Sequence, residues 1–239
     1  MGNIILMGLI AGLGTTFGAV LVLFCGRLRY RSFSLLLGLA AGVMLAVVLF
    51  DLFPAALARS GLVQCLEGAL AGLFFIAALD FWFGPDDSSN GAGSRYLALG
   101  YLIASGIAIH DLPEGLAIAA GYTEPLTLGP LLTLAIGLHN VPEGMATAAP
   151  LRAGGMNAGR VLVLNLLVSL VTPLGSALGI CLIELSPAFI SFLLALAGGT
   201  MSYIVFFKLL PESLRQYRPF ALSGLFWGVA FVICLNLLL

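Results

Sequence analysis

Of the 239 residues, 61% are hydrophobic and 9% charged, with a formal net charge of −1 and a mean hydropathy of +1.12. Soluble domains carry about 25% charged residues, so the composition excludes a water-soluble enzyme or nucleic-acid binder and leaves an integral membrane protein. The 30 glycines fit that class, because helices in lipid associate through close backbone approach and not through a hydrophobic force.

A crossing takes roughly 20 apolar residues through about 30 Å of hydrocarbon. In chain order, eight such spans are predicted, at about 3–25, 32–54, 62–83, 96–120, 126–150, 161–184, 187–209 and 219–238. The breaks are short and polar, and the longest, GPDDSSNGAGSR, is a glycine- and serine-rich linker and not a domain. Residues 1–239 therefore read as one transmembrane domain. The first span lacks a basic leader and is too long for a signal-peptide core, so it is taken as a true span. Among the ten Lys and Arg residues, Arg59 alone falls on the side opposite the rest. Basic loops stay in the cytoplasm, which puts both termini on the non-cytoplasmic side of the plasma (inner) membrane. Cys25, Cys65, Cys181 and Cys234 have no paired spacing and are expected to be free.

The chain also repeats itself. LAAGVMLAVVLFDLFPAAL (39–57) aligns without gaps on LAGGTMSYIVFFKLLPESL (196–214), and LIAGLGTTFG (9–18) aligns on LLVSLVTPLG (166–175) at the same shift of 157. The second span runs outward and the seventh inward, so the repeats (about 3–83 and 161–238) are inverted around a central pair at about 96–150. Inverted repeats are a mark of secondary transporters, whose substrate site lies near the midplane.

That central pair carries two related hexapeptides, HDLPEG (110–115) and HNVPEG (139–144), which contain both histidines of the chain. His110 with Glu114, and His139 with Glu143, are four residues apart and share a helix face. The turn near 121–125 lies eleven residues past His110 and fourteen before His139, so both motifs sit roughly 16–21 Å deep. Carboxylates at that depth cost a few kcal/mol each unless they face a partner, and no Lys or Arg lies at that level. Two imidazoles and two carboxylates without a basic residue describe a site for a divalent cation such as Zn²⁺, Fe²⁺, Co²⁺ or Mn²⁺. Asp111 and Asn140, one position along, offer a second site or transit ligands. Pro113 and Pro142 free the carbonyls of Ile109 and Leu138, an irregularity tolerated in a membrane only where it lines a cavity.

On these residues the chain resembles the ZIP (Zrt/Irt-like) divalent metal transporters, and among them the compact prokaryotic zinc-uptake type. HDLPEG and HNVPEG carry the resemblance, with AGVMLAVVLFDLFPAAL, TPLGSALG and KLLPES in support. It implies a 3+2+3 arrangement of eight helices, a homodimer, and uptake of Zn²⁺ or a similar ion by alternating access, one helix bundle sliding against the other. It also implies a primary site of His110, Glu114, His139 and Glu143 with Met44 nearby, and a second site of Asp111, Asn140 and the shared glutamates. The metal is then the transported substrate and there is no cofactor.

Three departures stand out. Thr172 occupies the position of a customary glutamate ligand, which weakens the second site. Phe207 and Lys208 stand where two acidic residues are usual, and the linker lacks histidines; its Asp86 and Asp87 read mainly as a solvated turn. Asp51 is expected either to attract cations at the outer mouth, or to cap loop backbone or pair with Arg59. Glu212 is expected either to serve as an inner exit residue or to pair with Arg215, and Lys208 to snorkel to the inner interface. An intramembrane metallohydrolase fits poorly, since no HExxH motif and no separate general base are present. A passive channel stays open as the alternative, and a non-transporting sensor is disfavoured. No nucleotide-binding motif occurs, so no ATP use is expected.

Overall fold

The computed structural model describes residues 2–26, 28–83, 91–122, 128–181 and 186–238. Asp86 and Asp87 lie outside the described residues. Everything described folds as helix and intervening turns, with no strand: α1 (Gly2–Phe24), α2 (Tyr30–Val47), α3 (Phe53–Ser60), α4 (Leu62–Phe83), α5 (Ala92–Gly121), α6 (Leu128–Ala153), α7 (Ala158–Ser169), α8 (Val171–Cys181), α9 (Pro187–Ile204) and α10 (Leu210–Leu238). Among the described residues, six stretches are long and apolar enough to cross a membrane: Asn3–Phe24, Tyr30–Ser60, Leu62–Trp82, Ala92–Gly121, Ala158–Cys181 and Pro187–Leu238. Local chemistry sets several ends. The Asn157 side-chain oxygen accepts from the Arg160 amide at 2.9 Å to open α7, and the Ser186 hydroxyl accepts from the Phe189 amide just ahead of Pro187 in α9.

Two joins are π-helical. Val48–Leu52 links α2 to α3, and Val205–Leu209 links α9 to α10. Each is followed two residues later by a proline, Pro54 or Pro211. A proline has no amide to give to the carbonyl four residues back and its ring crowds that carbonyl, so the helix widens by one residue at both places. The two turns are separated by the repeat shift of 157 residues read from the sequence. The break expected at about 210–218 is a kink and not a loop: Tyr217 leaves helical geometry (φ −165°, ψ 100°) just before Pro219, inside α10.

The helices gather into two bundles. In the first, α1 packs on α6, α7 and α8, and α5 packs on α6 and α8; in the second, α2 packs on α10 and α4 on α9, with α3 against α9. Contacts between α5 and α9 and between α2 and α6 join them. Glycines set the close crossings, because an added methyl would run into a neighbouring backbone carbonyl. These crossings recur in equivalent places. Gly18 of α1 faces the Val141 carbonyl and Gly175 of α8 faces that of Leu112, while Gly144 faces Thr15 and Gly115 faces Thr172. In the second bundle Gly68 faces the Phe192 carbonyl and Gly224 that of Leu35. A third pair of helices thus follows the repeat, although its sequence does not advertise it.

Candidate metal centre

Both hexapeptides fold as uninterrupted helix, through Pro113 in α5 and Pro142 in α6. The glycine that ends each motif lets a Thr carbonyl of the partner helix approach, Thr172 at Gly115 and Thr15 at Gly144. That approach holds α1 and α8 against the motif helices and shuts lipid out. His110, Asp111, Asn140 and Glu143 are fully buried, and Glu114 and His139 nearly so.

Within this enclosure the four expected ligands converge. One oxygen of Glu114 lies 2.8 Å from Nε2 of His110 and 2.6 Å from Nε2 of His139. A Glu143 oxygen is 3.7 Å from the same His110 nitrogen, and the two imidazole centroids are 6.4 Å apart. Ligating atoms of His110, Glu114 and His139 lie within 4.8 Å of one another, as do those of His110, Asp111 and Glu143. The two groups share His110 and could hold two ions side by side. Ligands on a tetrahedral zinc stand about 3.3 Å apart, given bonds of about 2.0–2.1 Å. The shorter nitrogen–oxygen separations at Glu114 suit a shared proton, which a metal would displace as it spreads the ligands.

Unsatisfied polar atoms mark the same place. Both oxygens of Asp111, both of Glu143, Glu114 Oε2, His110 Nδ1 and Asn140 Oδ1 are buried without a hydrogen-bond partner among the described residues. Asn140 uses its amide nitrogen on the Ala11 carbonyl at 3.3 Å, which turns its oxygen away from that contact. The ion pairs to these carboxylates involve histidines and neither Lys nor Arg. Buried, unpaired carboxylates cost several kcal/mol each, a cost that a bound divalent cation would offset.

A cavity of about 340 Å³ leads to the centre from one end of the molecule. Its walls are mostly apolar, and its polar lining is Glu114, His139, Asp51 and Asn236. At the opposite end a cavity of about 210 Å³ is lined by Asp80, Arg95, Lys208, Glu212 and Arg215, without any of the motif residues.

Similarity to known proteins extends over most of the chain. The family profile described as ZIP Zinc transporter matches residues 84–236. The chain is 31% identical to zinc transporter GufA of Myxococcus xanthus, covering 99% of both chains. It is 34% identical to zinc transporter ZupT of Chlorobium luteolum over 98% of this chain and 97% of that one. To zinc transporter ZTP29 of Arabidopsis thaliana it is 29% identical, over 94% and 90%. The chain belongs to the ZIP zinc-transporter family. It is an integral membrane protein of a transporter family and not of an enzyme family.

The remaining expectations for a ZIP chain meet mixed outcomes. Asp51 accepts a 2.7 Å hydrogen bond from Asn236 and does not turn to Arg59. Glu212 takes Arg95 at 2.5 Å, not Arg215, and also accepts from Gln216 at 2.7 Å. Lys208 does not snorkel free: its ammonium lies 2.6 Å from Asp80, which also accepts from the Tyr203 hydroxyl at 2.6 Å. Met44 is fully buried in the apolar core of α2. Thr172 is fully buried, with its hydroxyl beside Asp111. All four cysteines are free. Sequence reasoning missed Asp80 and Asn236. Each is a lone polar residue in an apolar span, which was the available signal.

Proposed function

We propose that the chain is a secondary transporter that carries Zn²⁺ into the cytoplasm, with Fe²⁺, Mn²⁺, Co²⁺ and Cd²⁺ as further candidate cargoes. The observation that carries this reading is the buried cluster of His110, Glu114, His139 and Glu143, with unsatisfied oxygens, at the end of a cavity that reaches the surface. These four form the primary site. Asp111 and Asn140 extend it with Thr172 alongside, and Met44 lies on the neighbouring bundle. Asp51, in the cavity wall, attracts the arriving ion by its charge.

An arrangement of eight spans in a 3+2+3 order follows. Pro187–Leu238 runs 52 residues, or about 78 Å at 1.5 Å per residue. That is too long for one crossing of about 30 Å, so with its kink at Tyr217 it makes two; α6, at 26 residues, makes another. The recurring glycine crossings support inverted repeats within one domain of residues 1–239. Orientation rests on the basic loops, with the Asp51 end outside, the Arg95 end in the cytoplasm and both termini outside. The plasma membrane and a homodimer complete the reading.

Alternating access is the mechanism this partition favours. All four primary ligands ride on the first bundle, and the second supplies Asp51, Asn236 and the facing part of the cavity wall. Moving the first bundle along the second carries the ion from one side to the other. The separate cavities favour such a carrier over an open channel.

The test is zinc uptake into liposomes, wild type beside His139→Ala, with each rival metal added as competitor. Saturable uptake lost in the variant supports the carrier, and the order of competition ranks the cargoes. Uptake rising linearly with zinc concentration supports the channel, and tight binding without uptake rejects both.

A further inference from the structure

The two bundles are held together differently at their two ends. At the Arg95 end, Arg95 of α5 pairs with Glu212 of α10 at 2.5 Å. One helical turn further along α10, Gln216 donates to the Tyr96 hydroxyl of α5 at 2.7 Å and to Glu212 Oε1 at 2.7 Å. These contacts cross from the first bundle to the second and interlock four side chains. The polar side-chain contacts described at the Asp51 end each stay within one bundle, Asp51 with Asn236 in the second and Thr133 with Gly129 in the first. So does Lys208 with Asp80, close to the interlocked group. Between that group and the metal centre the bundles meet through apolar packing, in which Ile107 and Ile204 are fully buried and Gly106 lies against Ile204.

We propose that Arg95 and Glu212, braced by Gln216 and Tyr96, form a latch that holds the cytoplasmic side shut and must part before metal can leave the centre. This rests on the transport reading above. Glu212 is then the anchor of a gate and not a ligand for the departing ion. Its side chain is 5% exposed while that of Arg95 is 47% exposed. A fixed carboxylate facing a solvent-accessible guanidinium can be released without stranding a positive charge in the protein. Tyr96 and Gln216 add a neutral hydrogen bond that breaks with it, so the latch opens as a unit. Because the contacts join elements that separate on inward opening, they stabilise the outward-facing state without touching the ion.

The experiment reads access and needs no transport. Leu102, which lines the cytoplasmic cavity, is replaced by cysteine in a background with the four native cysteines changed to alanine. The full-length protein in inside-out vesicles is treated with a membrane-impermeant maleimide. Arg95→Ala and Glu212→Gln are each expected to speed labelling about fivefold, a population shift within reach of a partly exposed ion pair. Tyr96→Phe should give a smaller rise, and it carries the test should the charge variants fail to fold. The exchanged pair, Arg95→Glu with Glu212→Arg, should restore the slow rate. Unchanged labelling in the folded single variants overturns the latch, and so does an exchanged pair that labels as fast as they do. If labelling behaves as expected while wild type moves no zinc, the latch stands and the transport reading falls. If wild type moves zinc while labelling stays unchanged, the latch falls and the transport reading stands.

Discussion

The two π turns are one piece of backbone used twice. Val48–Leu52 and Val205–Leu209 occupy equivalent places in the repeats, and each precedes a proline that forces the helix to widen. Their fourth residues differ in sign. Asp51 lines the cavity that reaches the metal centre, whereas Lys208 lines the opposite cavity and is paired with Asp80. The distortion is therefore a property of the fold, and the local chemistry is a property of one side chain. On the transport reading, an acid at one end would draw cations towards the centre. At the other end a tethered ammonium leaves Asp80 already satisfied.

Four measurements would break or sharpen that contrast. The largest effect is expected at the centre between the turns. Glu114→Ala removes the oxygen shared by both imidazoles and should cut zinc uptake by more than about 100-fold. Retained uptake would move the site to the turns themselves. Next, Asp80→Asn leaves the mostly enclosed Lys208 ammonium without its counter-charge and should cost about 2 kcal/mol in detergent unfolding. Adding Lys208→Met should recover most of it, and no recovery would mean that Asp80 acts through something other than this pair. Zinc affinity measured by calorimetry should then fall as the pH drops from about 7.5 to about 5.5, because protons and metal compete for the same ligand atoms. The same fall in Asp51→Asn would place that competition at the centre and not at the turn. The smallest effect belongs to Asp51→Asn itself: KM for uptake up about threefold with an unchanged maximal rate, and the difference shrinking in high salt. A fall in maximal rate alone would argue against a capture role.

Much of this was legible in the sequence, and unevenly so. Both hexapeptides announced the centre, because polar residues inside an apolar span need a reason and these recur at helical spacing. The repeat shift located the second π turn from the first, although nothing in the letters said that the helix would widen there. Partners across the fold were harder to read. Nearness along the chain suggests Arg59 for Asp51 and Arg215 for Glu212, and the structure supplies Asn236 and Arg95 instead. Such pairings depend on which helices lie side by side, information that no single span contains. Helix ends followed the same rule. The third span matched at Leu62–Phe83, while the fourth began earlier than expected, at Ala92, since a polar first turn can still be helix.

The glycine crossings have a consequence for how this chain tolerates change. Gly18, Gly115, Gly144 and Gly175 each face a backbone carbonyl that even one methyl would strike, and backbone cannot swing aside as a side chain can. In a scan of every substitution scored for growth on scarce zinc, these four columns should be as empty as those of the histidines. They would look like binding residues to anyone ranking positions by intolerance alone, yet none of them offers an atom to an ion.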